Sequence, residues 1–137
     1  MVKKVTLLGS TGSIGTQSLD VIRAQGYRVF GLAAHSNVER LLAQVAEFRP
    51  QWVAVSDPAA AGRVEAALAG QAGAPRLLRG AEGLRQLAGM EGPDIVLNAV
   101  VGIAGLGATL SALESGHDVA LANKESLVTG GSLVTRA

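Results

Sequence analysis

The chain reads as an α/β domain, a doubly wound and mostly parallel sheet with helices on both faces. Three observations predict it. Strand-like and helix-like runs alternate from one end to the other, the pattern of βαβ units joined by right-handed crossovers. Apolar residues make up 48% of the 137 residues, yet only four are aromatic, Tyr27, Phe30, Phe48 and Trp52. A core built from Val, Leu, Ile and Ala suits a parallel sheet buried on both faces. Finally, the first strand runs straight into a glycine turn that opens a helix, Gly9-Ser10-Thr11-Gly12-Ser13-Ile14-Gly15. Together these features describe a Rossmann-like fold.

The elements follow in order. Val5 to Leu8 is a short apolar strand, and Ile14 to Ala24 a helix. Arg28 to Ala33 reads as the second strand. Asn37 is the N-cap of a helix from Val38 to Phe48, on which Leu41, Leu42, Val45 and Phe48 share a face. Pro50 stops that helix, and Trp52 to Val55 is the third strand. Asp57-Pro58 sets a cap and a first-turn proline before a helix to about Leu68. A short strand at Arg76 to Leu78 and a helix around Ala81 to Leu87 come next. Asp94 to Ala99 is a strand, Ile103 to Glu114 a helix closed by Gly116, and Asp118 to Ala122 a further strand. The last residues, with Gly130-Gly131 near their start, read as the opening of another helix. That is an odd place for a domain to stop, so a single dinucleotide-binding domain over 1–137, itself a fragment of a longer protein, is expected.

Composition excludes several functions. A net charge of +1 with no basic run gives no sign of a nucleic-acid partner. The absence of cysteine removes disulfides, thiol catalysis and Cys-ligated zinc, and it fits a reducing, cytoplasmic setting. Met1-Val2-Lys3-Lys4 enters a strand at once, leaving no room for a signal peptide. The apolar stretch from Ile95 to Leu110 is broken by glycines and by Asn98, so no membrane span is expected.

The glycine turn is the first chemical signal. A strand that turns into a helix gathers free backbone N–H groups at the positive end of the helix dipole, where a phosphate binds. In the GxxGxxG spacing, Gly9 permits the tight turn and Gly12 lets a pyrophosphate approach the backbone. Gly15, one helical turn on, lets helix and strand pack closely. Gly15-Thr16 is not followed by the Lys-Ser/Thr of a mononucleotide loop, which leaves a dinucleotide. The alternative at this point is a glycine turn with no ligand.

In this architecture ligands bind outside the carboxyl ends of the strands. After the second strand stands Ala34-His35-Ser36-Asn37, about twenty residues beyond the glycine turn, where NAD-specific sites place Asp or Glu. No carboxylate is present. His35, Ser36 and Asn37 can hydrogen-bond a ribose 2′-phosphate and Arg40 can add charge, so NADP is preferred over NAD; equally, Asn37 caps its helix and His35 can be a solvated loop residue. Small residues at Asn98-Ala99-Val100-Val101-Gly102 fit a nicotinamide ring near the sheet, or merely a buried strand end. Asn123-Lys124-Glu125-Ser126 follows the last strand. There Lys124 could bind a substrate phosphate and Glu125 orient it or hold the nicotinamide ribose, unless this is only the solvated start of a helix.

The glycine turn and Leu121-Ala122-Asn123-Lys124-Glu125-Ser126-Leu127-Val128, with Leu19-Asp20-Val21 and Ala99-Val100-Val101-Gly102-Ile103-Ala104-Gly105-Leu106 between them, closely resemble the 1-deoxy-D-xylulose 5-phosphate reductoisomerase family. The resemblance covers essentially the whole chain but only the amino-terminal part of such an enzyme. It implies an NADPH-dependent homodimer that needs Mg²⁺ or Mn²⁺. Such an enzyme rearranges and reduces its phosphorylated sugar substrate to 2-C-methyl-D-erythritol 4-phosphate, in non-mevalonate isoprenoid synthesis. It also implies that Thr11, Gly12, Ser13 and Ile14 contact the cofactor pyrophosphate and that His35, Ser36 and Asn37 surround the adenosine ribose phosphate. Asn123 and Glu125 would hold the nicotinamide half, and Lys124 would meet the substrate. The family often has Gly or Lys where His35-Ser36 stands. Its acidic metal ligands, lid and substrate phosphate pocket lie beyond Ala137, so no catalytic or metal-binding residue is expected within the chain, and binding without turnover is. Two other readings compete: an NADP-dependent reductase of the aspartate-semialdehyde dehydrogenase kind, which would need a cysteine nucleophile, and a non-catalytic dinucleotide sensor, which would not need Lys124-Glu125.

Overall fold

A computed structural model of the chain describes residues 2–100, 102–121 and 132–134. Seven strands form one sheet in the order β4-β3-β2-β1-β5-β6-β7. They are β1 (Lys4–Leu8), β2 (Arg28–Ala34), β3 (Trp52–Val55), β4 (Arg76–Arg79), β5 (Ile95–Asn98), β6 (Val119–Leu121) and β7 (Ser132–Val134). The first six pair in parallel; β7 runs antiparallel to β6. Between them lie α1 (Ser13–Gln25), α2 (Val38–Phe48), α3 (Pro58–Leu68), α4 (Gly80–Gly89) and α5 (Gly102–Glu114). The doubly wound, mostly parallel sheet expected from the alternation is therefore the fold.

The order of the strands explains which helix covers which face. From β1 to β4 the chain steps steadily toward one edge, and right-handed crossovers place α1, α2 and α3 on the same face. Their core joins Leu19 and Ile22 of α1, Leu41 and Val45 of α2, and Val64 and Leu68 of α3 to Val5, Leu7, Leu32, Val53 and Val55 of the sheet. After β4 the chain crosses back to the far side of β1, carrying α4 and then α5 over the opposite face. There Leu84, Leu87, Ala88, Ala108 and Ala112 meet Leu8, Phe30, Ala33, Ala54 and Val96. Progress along the sheet reverses between β1 and β5, and that is the switch point at which doubly wound sheets bind ligands.

Local chemistry sets most boundaries. The Asn37 side chain accepts a hydrogen bond from the Arg40 amide, and the Asp57 carboxylate accepts from the Ala60 amide with Pro58 in the first turn. Gly26, at φ 71°, ends α1, and Arg49, at φ 49°, ends α2 one residue before Pro50. Arg23 ties α1 to α2 through two hydrogen bonds to Glu47, at 2.6 and 2.9 Å, and holds that carboxyl below its ordinary range. The expected helix at the carboxyl end is corrected in part: Ser132–Val134 is a strand. The antiparallel pairing of Val134, Leu133 and Ser132 with Val119, Ala120 and Leu121 satisfies the backbone groups that β6 would otherwise leave at an open sheet edge. Among the described residues no helix is long and apolar enough to cross a membrane.

Candidate functional site

The strand register brings four turns to one edge. Leu8 pairs with both Ala33 and Asn98, and Ala34 pairs with Val55. The carboxyl ends of β1, β2, β3 and β5 therefore stop at one level, and the loops that leave them enclose a cavity of about 410 Å³. Gly9, Thr11 and Gly12 line it from the first turn, Ala34, His35 and Ser56 from the ends of β2 and β3, and Ala99, Val100 and, on α5, Ala104 from beyond β5.

The glycine turn is built by close backbone approach. Gly9 has φ 81°, a conformation that L side chains rarely adopt. Its amide and that of Ser10 both donate to the carbonyl of Ala33, at 2.8 and 2.9 Å, strapping the turn to the end of β2. A Cβ on Gly15 would sit 1.9 Å from the carbonyl oxygen of Gly9, so only glycine lets α1 start against the strand. Gly12 differs. A Cβ there would meet nothing nearer than the Gly9 carbonyl oxygen at 3.8 Å, and its outer side is open. Gly9 and Gly15 are thus required by the backbone itself, and Gly12 leaves open space at the turn.

The start of α1 is also unlike those of α2 and α3. No side chain caps it and no acidic residue lies in its first turn, whereas Asn37 and Asp57 cap the next two helices. The amides of a first helical turn have no partner within the helix. Here they meet the dipole's positive end beside the cavity, an arrangement that fits an anion. Thr11, Gly12, Ser13 and Ile14, singled out from the sequence, all belong to this turn.

Around the end of β2, His35 and Ser36 are exposed. The Nδ1 of His35 lies 2.7 Å from the Ser56 hydroxyl. Asn37 is the helix cap, as its position implied. Arg40 folds back so that its Nη1 donates to the Thr11 carbonyl at 3.2 Å, joining the charged side chain of α2 to the glycine turn. Among the described residues no carboxylate lines the cavity. Gln44 and Ser56 were not singled out from the sequence. Gln44 is a buried amide on the apolar face of α2, and its Nε2 donates to the Ser10 carbonyl at 2.9 Å. Its polarity between Leu41 and Val45 was the available signal. Ser56 carried none, since a serine after a strand is common.

At the end of β5, the buried Asn98 organises the turn instead of facing a ligand. Its Nδ2 donates to the Gly105 carbonyl at 2.8 Å and to Thr109 Oγ1 at 2.6 Å, while its Oδ1 accepts from the Val100 amide at 2.9 Å. The stretch is a tight strand end around the buried Asn98, and Ala99 and Val100 line the cavity. Asn123, Lys124 and Glu125 lie outside the described residues. The last residue of β6, Leu121, pairs with Asn98, so the chain leaves β6 at the same edge as the cavity. Among the described residues no three His, Asp or Glu side chains gather as metal ligands.

Comparison with known proteins gives a consistent result. The family model for 1-deoxy-D-xylulose 5-phosphate reductoisomerase matches residues 5–131. Reductoisomerases from Thermosynechococcus vestitus and Symbiobacterium thermophilum are 45% and 48% identical over 98% and 100% of the chain. The chain spans about a third of the length of these curated relatives, 33% and 36%. Among solved structures, the Zymomonas mobilis reductoisomerase in complex with NADPH superposes with a TM-score of 0.80 at 40% identity, over 94% of this chain and 34% of that one. A reductoisomerase in complex with NADPH, fosmidomycin and magnesium gives 0.81 at 40% identity, over 93% and 31%.

Proposed function

Because the chain belongs to the 1-deoxy-D-xylulose 5-phosphate reductoisomerase family, we propose that it is the NADPH-binding part of such an enzyme. One observation carries the proposal: an uncapped glycine-turn helix start opens into the cavity at the switch point, beside a ribose position free of carboxylates. A pyrophosphate fits a place where backbone amides converge and where Gly12 leaves room for its oxygens.

Thr11, Gly12, Ser13 and Ile14 contact the pyrophosphate at the start of α1. His35, Ser36 and Asn37 surround the adenosine ribose and its 2′-phosphate, and Arg40 supplies positive charge between this group and the turn. Asn123 and Glu125 hold the nicotinamide half, and Lys124 meets the phosphorylated sugar. When bound, NADPH supplies the hydride. The residues of this chain bind the cofactor, orient it against the sheet edge and cover one side of it from water. The small apolar side chains of Ala99, Val100 and Ala104, which line the cavity, leave room for the ring.

The whole enzyme would carry out rearrangement and reduction of the substrate as a cytoplasmic homodimer. A divalent cation, Mg²⁺ or Mn²⁺, would polarise the substrate's carbonyl and hydroxyl oxygens. We place the ligands of that cation outside this chain. The purified chain should therefore bind NADPH without consuming it. The test incubates it with NADPH, 1-deoxy-D-xylulose 5-phosphate and Mg²⁺ and follows nicotinamide absorbance. A flat trace together with NADPH-dependent shifts of the Thr11 to Ile14 amide resonances supports the proposal. Steady oxidation would overturn the division of labour, and unmoved amides would overturn the binding site.

A further inference from the structure

Resting on the dinucleotide reading above, we propose that Ser56 is a positioning residue for NADP selection: its hydroxyl donates to Nδ1 of His35 and fixes the ring as the tautomer whose Nε2 carries the proton. His35 is the first residue beyond β2 and Ser56 the first beyond β3. Strand pairing continues past both elements. The Ser56 amide donates to the Ala34 carbonyl and the Asp57 amide to the His35 carbonyl, each at 3.1 Å. Asp57 in turn caps α3. Ser56 is thus a pinned residue whose hydroxyl stands 2.7 Å from the imidazole, and both side chains line the cavity.

The direction of that hydrogen bond decides what the ring offers to a ligand. A neutral imidazole has one donor and one acceptor nitrogen, so the role Nδ1 takes toward the Ser56 hydroxyl leaves Nε2 the other. If the ring donated to Ser56, Nε2 would present a lone pair, which repels a phosphate oxygen. With Ser56 donating, Nε2 is an N–H donor, and a ribose 2′-phosphate offers only acceptors. A free ribose hydroxyl both donates and accepts, so it gains little from the choice. Ser56 therefore favours the phosphorylated ribose without touching it.

The test titrates NADPH and NADH into the wild-type protein, Ser56→Ala and Ser56→Thr by calorimetry, and records long-range ¹H–¹⁵N spectra of the imidazoles. With two histidines in the chain, His117 serves as the internal reference. Ser56→Ala should weaken NADPH about five-fold, the scale of one lost hydrogen bond, and change NADH by less than about two-fold. Ser56→Thr, which keeps the hydroxyl, should restore the wild-type ratio. The His35 spectrum should be that of the Nε2–H tautomer in the wild type and a mixture in Ser56→Ala. An unchanged NADPH affinity in Ser56→Ala, an equal loss for both cofactors, or an Nδ1–H ring in the wild type would overturn the inference alone. Failure of the wild type to bind either cofactor would overturn the dinucleotide reading and this inference with it.

Discussion

Gly12 and Gly15 sit three residues apart and answer to different constraints. A Cβ on Gly15 would collide with the Gly9 carbonyl at 1.9 Å, and neither backbone can yield cheaply. Gly15→Ala should lose about 1–3 kcal/mol of stability, the usual cost of forcing a methyl into a packed site, visible as a lower melting temperature. Gly12, with φ −75° and open space, should tolerate alanine in the fold. Gly12→Ala should keep the wild-type melting temperature yet bind NADPH at least about ten-fold more weakly, because the methyl occupies the pyrophosphate's approach. Equal melting losses for the two variants would refute the distinction. Arg40→Ala should weaken NADPH by about ten-fold, the scale of one hydrogen bond to a charged group, with NADH little changed in the same titration. The glycines and the missing carboxylate were legible in the sequence because backbone sterics and charge act at the residue itself. The His35–Ser56 pair was not, since it depends on the register between β2 and β3.

At the scale of elements, alternation of apolar strands with capped helices revealed nearly every segment. Caps such as Asn37 and Asp57 declare themselves locally, through side chains that bond the next turn. The strand at Ser132–Val134 was missed because its reason lies elsewhere, in the edge that β6 leaves to be paired. Asn98 was visible only as a polar interruption. In the fold it holds the β5–α5 turn through three hydrogen bonds, and Asn98→Ala strands the buried Gly105 carbonyl and two half-buried partners. That variant should lose about 1–3 kcal/mol in denaturant unfolding and bind NADPH more weakly as the turn relaxes. The tie between α1 and α2 depends on pH. Arg23 lowers the Glu47 carboxyl in the fold, so its contribution is present above the ordinary carboxylate range and is lost as pH falls through the lowered value. In low salt the difference in stability between wild type and Glu47→Gln should be measurable at neutral pH and vanish in acid. Both side chains are about half exposed, so added salt should shrink the difference at neutral pH as well.

For the whole molecule, the strand order decides where chemistry can occur. Helices α1 to α3 cover one face and α4 and α5 the other, and the sheet changes direction at the crevice between β1 and β5, where doubly wound sheets bind ligands. Fold class could be read from sequence because it is a periodic property, and the family because its motifs are local. The family match does not favour the semialdehyde-dehydrogenase alternative. The central claim is that an NADP-type dinucleotide occupies this crevice, selected by a ribose site without carboxylates. Calorimetric titration of the purified chain with NADPH and NADH tests it most directly. The account predicts one site per chain with NADPH bound at least about ten-fold more tightly than NADH; equal affinities, or no binding of either, would contradict it.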